Sequence, residues 1–178
     1  MSEYQNKTES RISIPIEVVL ERTVDRSKRW SYPTWAIVSL ASGQDLQQGV
    51  QCMALHDTFV ADSQRFFYSG LVLDLFKDGS EGYWYNLLSA DPYIFVVCEG
   101  EQEAMEVRPF YVTVNQDEAT GHLESEDIVL SAPMPTKLRA LLERYVVEHY
   151  KPEQQKKRKR KNWLENSLYA GVGHDKKV

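Results

Sequence analysis

Arg65-Phe66-Phe67-Tyr68-Ser69-Gly70-Leu71-Val72-Leu73-Asp74-Leu75-Phe76 runs into Lys77-Asp78-Gly79-Ser80-Glu81-Gly82 and then Tyr83-Trp84-Tyr85-Asn86-Leu87-Leu88. Beyond Asp91-Pro92 come Tyr93-Ile94-Phe95-Val96-Val97-Cys98 and, past an acidic loop, Val107 to Val114. Four short runs rich in aromatic and β-branched residues, divided by turn clusters, predict adjacent antiparallel strands. On that reading Lys77 to Gly82 is a hairpin loop, because Asp78-Gly79 supplies the positive φ angles of a tight turn. Glu99 to Glu103 is a second, solvated hairpin loop.

Upstream, Ile12, Ile14, Ile16, Val18 and Leu20 alternate with other residues and fall on one face of a strand. Pro15 cannot donate to a ladder, so this strand lies at an edge or turns that position outward. Trp30 to Leu40 predicts a second strand, with Pro33 imposing an extended start. Leu46 to Asp62 fits a strand pair or one irregular helix, and its β-branched and aromatic content favours strand. Downstream, Asp117 to Thr120 predicts a helical turn with Asp117 as its cap and Gly121 near its end. Asp127 to Leu130 is one more short strand.

Pro133-Met134-Pro135 opens a helix to Tyr150. Leu138, Leu141, Leu142, Tyr145, Val146 and His149 form a stripe that must lie on apolar surface. The expected fold is mainly β (α+β): an antiparallel β-sandwich or partly open barrel capped by one C-terminal amphipathic helix. Residues 1–10 read as a disordered start, 11–151 as one domain and 152–178 as a basic tail.

Of 178 residues, none belong to an apolar run long enough to cross a membrane as a helix. The polar N-terminus carries no signal-peptide pattern, which points to a cytoplasmic protein with reduced Cys52 and Cys98. Net charge is −5, but it is unevenly spread. Residues 151–178 hold nine Lys/Arg against three Asp/Glu, a balance of +6; residues 1–150 hold twelve against 23, a balance of −11. Asymmetry of this kind marks an interaction segment.

Lys156, Lys157, Arg158, Lys159, Arg160 and Lys161 repel one another until something anionic neutralises them. Trp163, Leu164, Leu168 and Tyr169 follow, an apolar set that suits docking in a partner groove or folding back on the chain's own sheet. Neighbours in Tyr83-Trp84-Tyr85 would point to opposite faces of a strand, leaving one side covered or exposed as a contact surface. The candidate partner-binding residues are therefore Lys156 to Lys161, Trp163 and Trp84. Cys52, Cys98, His56, His122, His149 and His174 are the soft metal ligands, and Cys52-x3-His56 lacks a second pair at zinc spacing. No catalytic, cofactor or metal site is assigned.

Asn86 to Val97, Pro109 to Ala119, Pro133-Met134-Pro135 and Glu148 to Glu153 with the basic run resemble a bacterial domain of unknown function, number 3305. Ile14 to Arg22 and Trp35 resemble that family's opening. The likeness covers roughly Ile12 to Asn162 and its motifs are structural. It implies a bacterial cytosolic protein encoded near molybdenum-dependent formate dehydrogenase genes, with a non-enzymatic accessory or assembly role. The expected partner is formate dehydrogenase or a maturation factor. Two alternatives stand beside it: a small-molecule or cofactor carrier with a barrel interior lined by Tyr83, Tyr85 or Trp35, and nucleic-acid binding through the tail.

Overall fold

The computed structural model describes residues 11–24, 31–42, 50–55, 63–101 and 106–151. The expectations for 1–10 and 152–178 lie outside them, as do those for 43–49 and 56–62. Strand β1 (Ile12–Val24) is flanked by β2 (Pro33–Ser42) and β4 (Ser63–Leu75), both antiparallel. Its alternation works as expected: Ile14, Ile16, Val18 and Leu20 are buried together. β1 is nevertheless a central strand. Among the described residues β2 reaches only to Ser42, opposite Ile16, and the pairing they show at Pro15 is with β4, opposite Val72.

β4 is the strand on which the sheet is assembled. One edge pairs with β1 along its length; the other is shared by β3 (Gln51–Leu55), opposite Arg65 to Ser69, and β6 (Arg108–Thr113), at Leu73. The changeover falls beside a bulge. Ile16 faces Leu71 and Val18 faces Tyr68, so Ser69 and Gly70 share the space opposite Glu17, with Gly70 at φ 84°. A bulge bends and twists a strand, and only glycine takes that φ without penalty. The β4–β6 pairing is parallel, which makes the sheet mixed rather than wholly antiparallel.

From β6 the sheet continues to β5 (Tyr93–Glu99) and β7 (Ile128–Pro133), both pairings antiparallel. The order β2-β1-β4-β6-β5-β7 brings β7 back beside β2, and the sheet is a nearly closed barrel. Of the two β architectures expected, the partly open barrel is the one formed. Leu71, Leu73 and Leu75 of β4, Ile94, Val96 and Cys98 of β5, and Val112 fill its interior with the β1 side chains. Among the described residues no helix is long and apolar enough to cross a membrane.

Among the described residues three α-helices accompany the barrel, not one. α3 (Thr136–His149) is the expected amphipathic helix, with Leu138, Leu142, Tyr145 and Val146 buried. α2 (Gln116–Glu124) is longer than the single turn expected. Its cap is Asn115, whose side chain accepts from the Asp117 N–H, and Gly121 lies within it. The larger correction concerns residues 77–88. No hairpin forms there: Lys77–Gly79 is a 3₁₀ turn and Ser80–Leu88 is helix α1. Strand propensity in Tyr83-Trp84-Tyr85 yields to packing, because a helix buries Tyr83 and Asn86 on one side and leaves Tyr85 outside.

Candidate functional site

α1 is held from below by two residues one turn apart. Tyr83 is buried, with its hydroxyl accepting the Phe76 N–H at 3.2 Å and its ring 6.4 Å from Tyr145. Burial pushes its hydroxyl up to about 12, against the lowering effect of that hydrogen bond, so it is neutral packing material at ordinary pH. Asn86 donates to the carbonyls of Tyr93 and Val114, each at 2.7 Å, and accepts from the Tyr93 N–H at 3.0 Å. One amide thus ties α1 to the start of β5 and the end of β6. Gly82 permits close approach to α2: a Cβ there would lie 2.6 Å from the capping Asn115 side chain.

With Tyr83 and Asn86 pointing in, helical spacing sends Tyr85 and Leu88 out, and they are 61% and 60% exposed. Trp84 lies at the side of the helix, half-buried, its ring 5.9 Å from that of Tyr150. Tyr150 follows α3 directly, so Trp84 stands where the chain leaves that helix toward Lys151. Tyr145, one turn back, meets His149 edge-on at 4.4 Å.

A cleft of about 650 Å³ separates the start of α1 from the end of α3. Asp78, Glu81 and Glu148 contribute carboxylates to its rim, and Lys77 and Lys151 contribute ammonium groups. A second groove of about 260 Å³ is lined by Tyr85 and Asn86 of α1 with Tyr93, Phe95, Gln116 and Ser131. Tyr85 borders both. The two openings, joined at Tyr85, are called the shelf below: ionic side chains line the first, and Tyr93 and Phe95 line the second.

Other polar contacts tie elements together. Glu118 accepts from Tyr111 at 2.9 Å and Thr113 at 2.6 Å, fastening α2 to β6. Burial first, and the Glu118 carboxylate next, raise the Tyr111 hydroxyl above its ordinary range. His122 pairs with Asp127 at 2.8 Å across the turn into β7. Cys98 is buried, which pushes its thiol up to about 12, whereas Cys52 is exposed on β3. Among the described residues no three His, Cys, Asp or Glu side chains gather as a metal site.

Of the residues singled out from sequence, Trp84 packs against Tyr150, which lines the cleft, while Lys156 to Lys161 and Trp163 fall outside the described residues. Tyr85 was singled out only within the Tyr83-Trp84-Tyr85 run and as a residue of a barrel interior, and Leu88 and Tyr93 not at all, because a strand reading of 83–88 hides the helical spacing that exposes Tyr85 and Leu88. The residues named for a ligand-lined interior do not share one. Tyr83 is core, Tyr85 is outside the barrel, and Trp35 packs its ring 5.6 Å from Phe66.

A family model described as a protein of unknown function, DUF3305, matches residues 15–160. The chain belongs to the DUF3305 family. The match takes in β1 from Pro15, every later strand and helix among the described residues, and the basic run almost to its end. Comparison with curated proteins and with solved structures finds no match. The DUF3305 description names no activity, so no residue receives a role from it.

Proposed function

We propose that this DUF3305 chain is a non-enzymatic accessory protein that binds a protein partner through the α1–α3 shelf and the basic tail. On the family resemblance, the partner belongs to the molybdenum-dependent formate dehydrogenase system, as the enzyme itself or a maturation factor. The observation that carries this reading is the pairing of exposed Tyr85 and Leu88 with the point at which the chain departs α3. Large apolar side chains at a surface rimmed by charge are typical contact material, and aromatic residues dominate the energetics of such contacts. The opposed charges of the tail and the rest of the chain add long-range steering.

The test is affinity capture from cells grown with formate and molybdate, read by mass spectrometry. Full-length protein should recover a specific partner that a chain ending at Pro152 recovers poorly. Equal recovery by the two removes the tail from the mechanism. Recovery of nucleic acid, lost steeply with added salt, would replace the protein partner with the nucleic-acid alternative.

A further inference from the structure

Three elements bring aromatic side chains together at the smaller groove. Tyr93 and Phe95 lie two apart on β5 and so share its outer face. Ser131 of β7 stands opposite Phe95 in the ladder, on that same face. Tyr85 of α1 completes the aromatic lining. Its place is fixed by the next residue, since Asn86 holds both the N–H and the carbonyl of Tyr93. Three aromatic side chains thus line about 260 Å³, with Tyr85 61% and Tyr93 39% exposed.

The charge at this groove has one sign. Among the described residues that line it, Asp91 is ionic and there is no lysine, arginine or histidine. α1 also ends there: its C-cap, Ser89, lines the groove, and its last turn carries no basic residue. The carbonyl end of a helix favours a cation. α2 begins beside the groove at Gln116, but Asp117 and Glu118 in its first turn offset the positive end of that helix. Aromatic faces are themselves negative and attract cations placed over them. Rings, carboxylate and helix end all select the same sign of ligand.

We infer that the groove of Tyr85, Tyr93 and Phe95 is a binding pocket for an arginine side chain of a partner protein. Size favours a side chain: the groove is smaller than the roughly 300–1,000 Å³ of sites that enclose a whole small molecule. A guanidinium stacks flat on aromatic rings and offers a carboxylate such as Asp91 two parallel donors, which an ammonium cannot. The oxygens of Ser89, Ser131 and Gln116 are acceptors for its remaining N–H groups. A quaternary ammonium, having no donors, would leave them unused. The inference rests on the shelf being a contact surface, and it names the chemistry a partner presents there.

The test titrates the purified, isotope-labelled full chain with the peptide acetyl-Gly-Arg-Gly-amide and with its lysine, citrulline and phenylalanine counterparts, read by amide NMR shifts. The arginine peptide should shift the amides of Tyr85, Tyr93, Phe95 and Ser131. It should bind at least about tenfold more tightly than the citrulline peptide, which keeps the shape and loses the charge. Tyr85→Ala and Asp91→Asn should each weaken it about threefold or more. Both side chains are exposed, so an unchanged melting temperature verifies the fold. Equal or tighter binding of the lysine, citrulline or phenylalanine peptide, or of tetramethylammonium, overturns the proposal. So do shifts confined to other surfaces, an arginine titration that does not saturate, or an affinity indifferent to Tyr85→Ala. The outcome is separable from partner capture: pure protein and peptide need no cellular partner, and a partner can use Tyr85 and Leu88 without presenting an arginine.

Discussion

Asn86 shows how one side chain can decide where a surface stands. Its amide satisfies two carbonyls and one N–H and is itself 7% exposed. Asn86→Ala leaves those groups unpaired and should destabilise the protein by about 3 kcal/mol in chemical denaturation, since each orphaned buried group costs about 1–3 kcal/mol. It should also weaken partner capture, because α1 loses its tie to β5 and β6. Gly70 is the backbone counterpart. At φ 84° any side chain is strained, so Gly70→Ala should lower stability by about 1–2 kcal/mol, read from the same denaturation curve.

Among the elements, α1 carries the most instruction. It has nine residues, fewer than an isolated helix needs, and its stability comes from what lies beneath it. A peptide of residues 77–92 should therefore show little helical circular dichroism in water; a strongly helical spectrum would mean that local propensity sufficed. This also explains what could be seen in advance. β1 was legible because Ile14, Ile16, Val18 and Leu20 alternate over a long strand with one buried face. α3 was legible because four turns of helix repeat one apolar stripe. α1 was not, since Tyr83, Trp84 and Tyr85 are all good strand formers and the helix is decided by distant partners: Tyr145 on α3 and the carbonyls that Asn86 meets. The shelf was lost with it. Trp84 was found for its composition, and only the helix explains its place beside Tyr150.

At the scale of the molecule, closure of the barrel depends on an interior of neutral groups. Cys98 and Tyr83 are acids whose folded-state values are raised, so each favours folding fully below its ordinary value and loses that contribution as pH climbs. The windows run from 9.0 to about 12 for Cys98 and from 10.0 to about 12 for Tyr83. Stability should be insensitive to these groups below pH 9, then fall by up to roughly 1.4 kcal/mol per pH unit for each group within its window. Denaturation at stepped pH checks this, and Cys98→Ala should flatten the early part of the decline. In native protein a thiol reagent should modify exposed Cys52 and spare Cys98 until the barrel opens.

The function proposed for the molecule depends on the shelf formed by α1 and the end of α3. Its most direct test is the affinity of the captured partner, once purified, for the full chain and for the chain carrying Tyr85→Ala and Leu88→Ala, measured by calorimetry. The account predicts at least about a tenfold loss of affinity with no change in melting temperature, as expected for removal of exposed contact anchors. Equal affinity of the two proteins for that partner would contradict it.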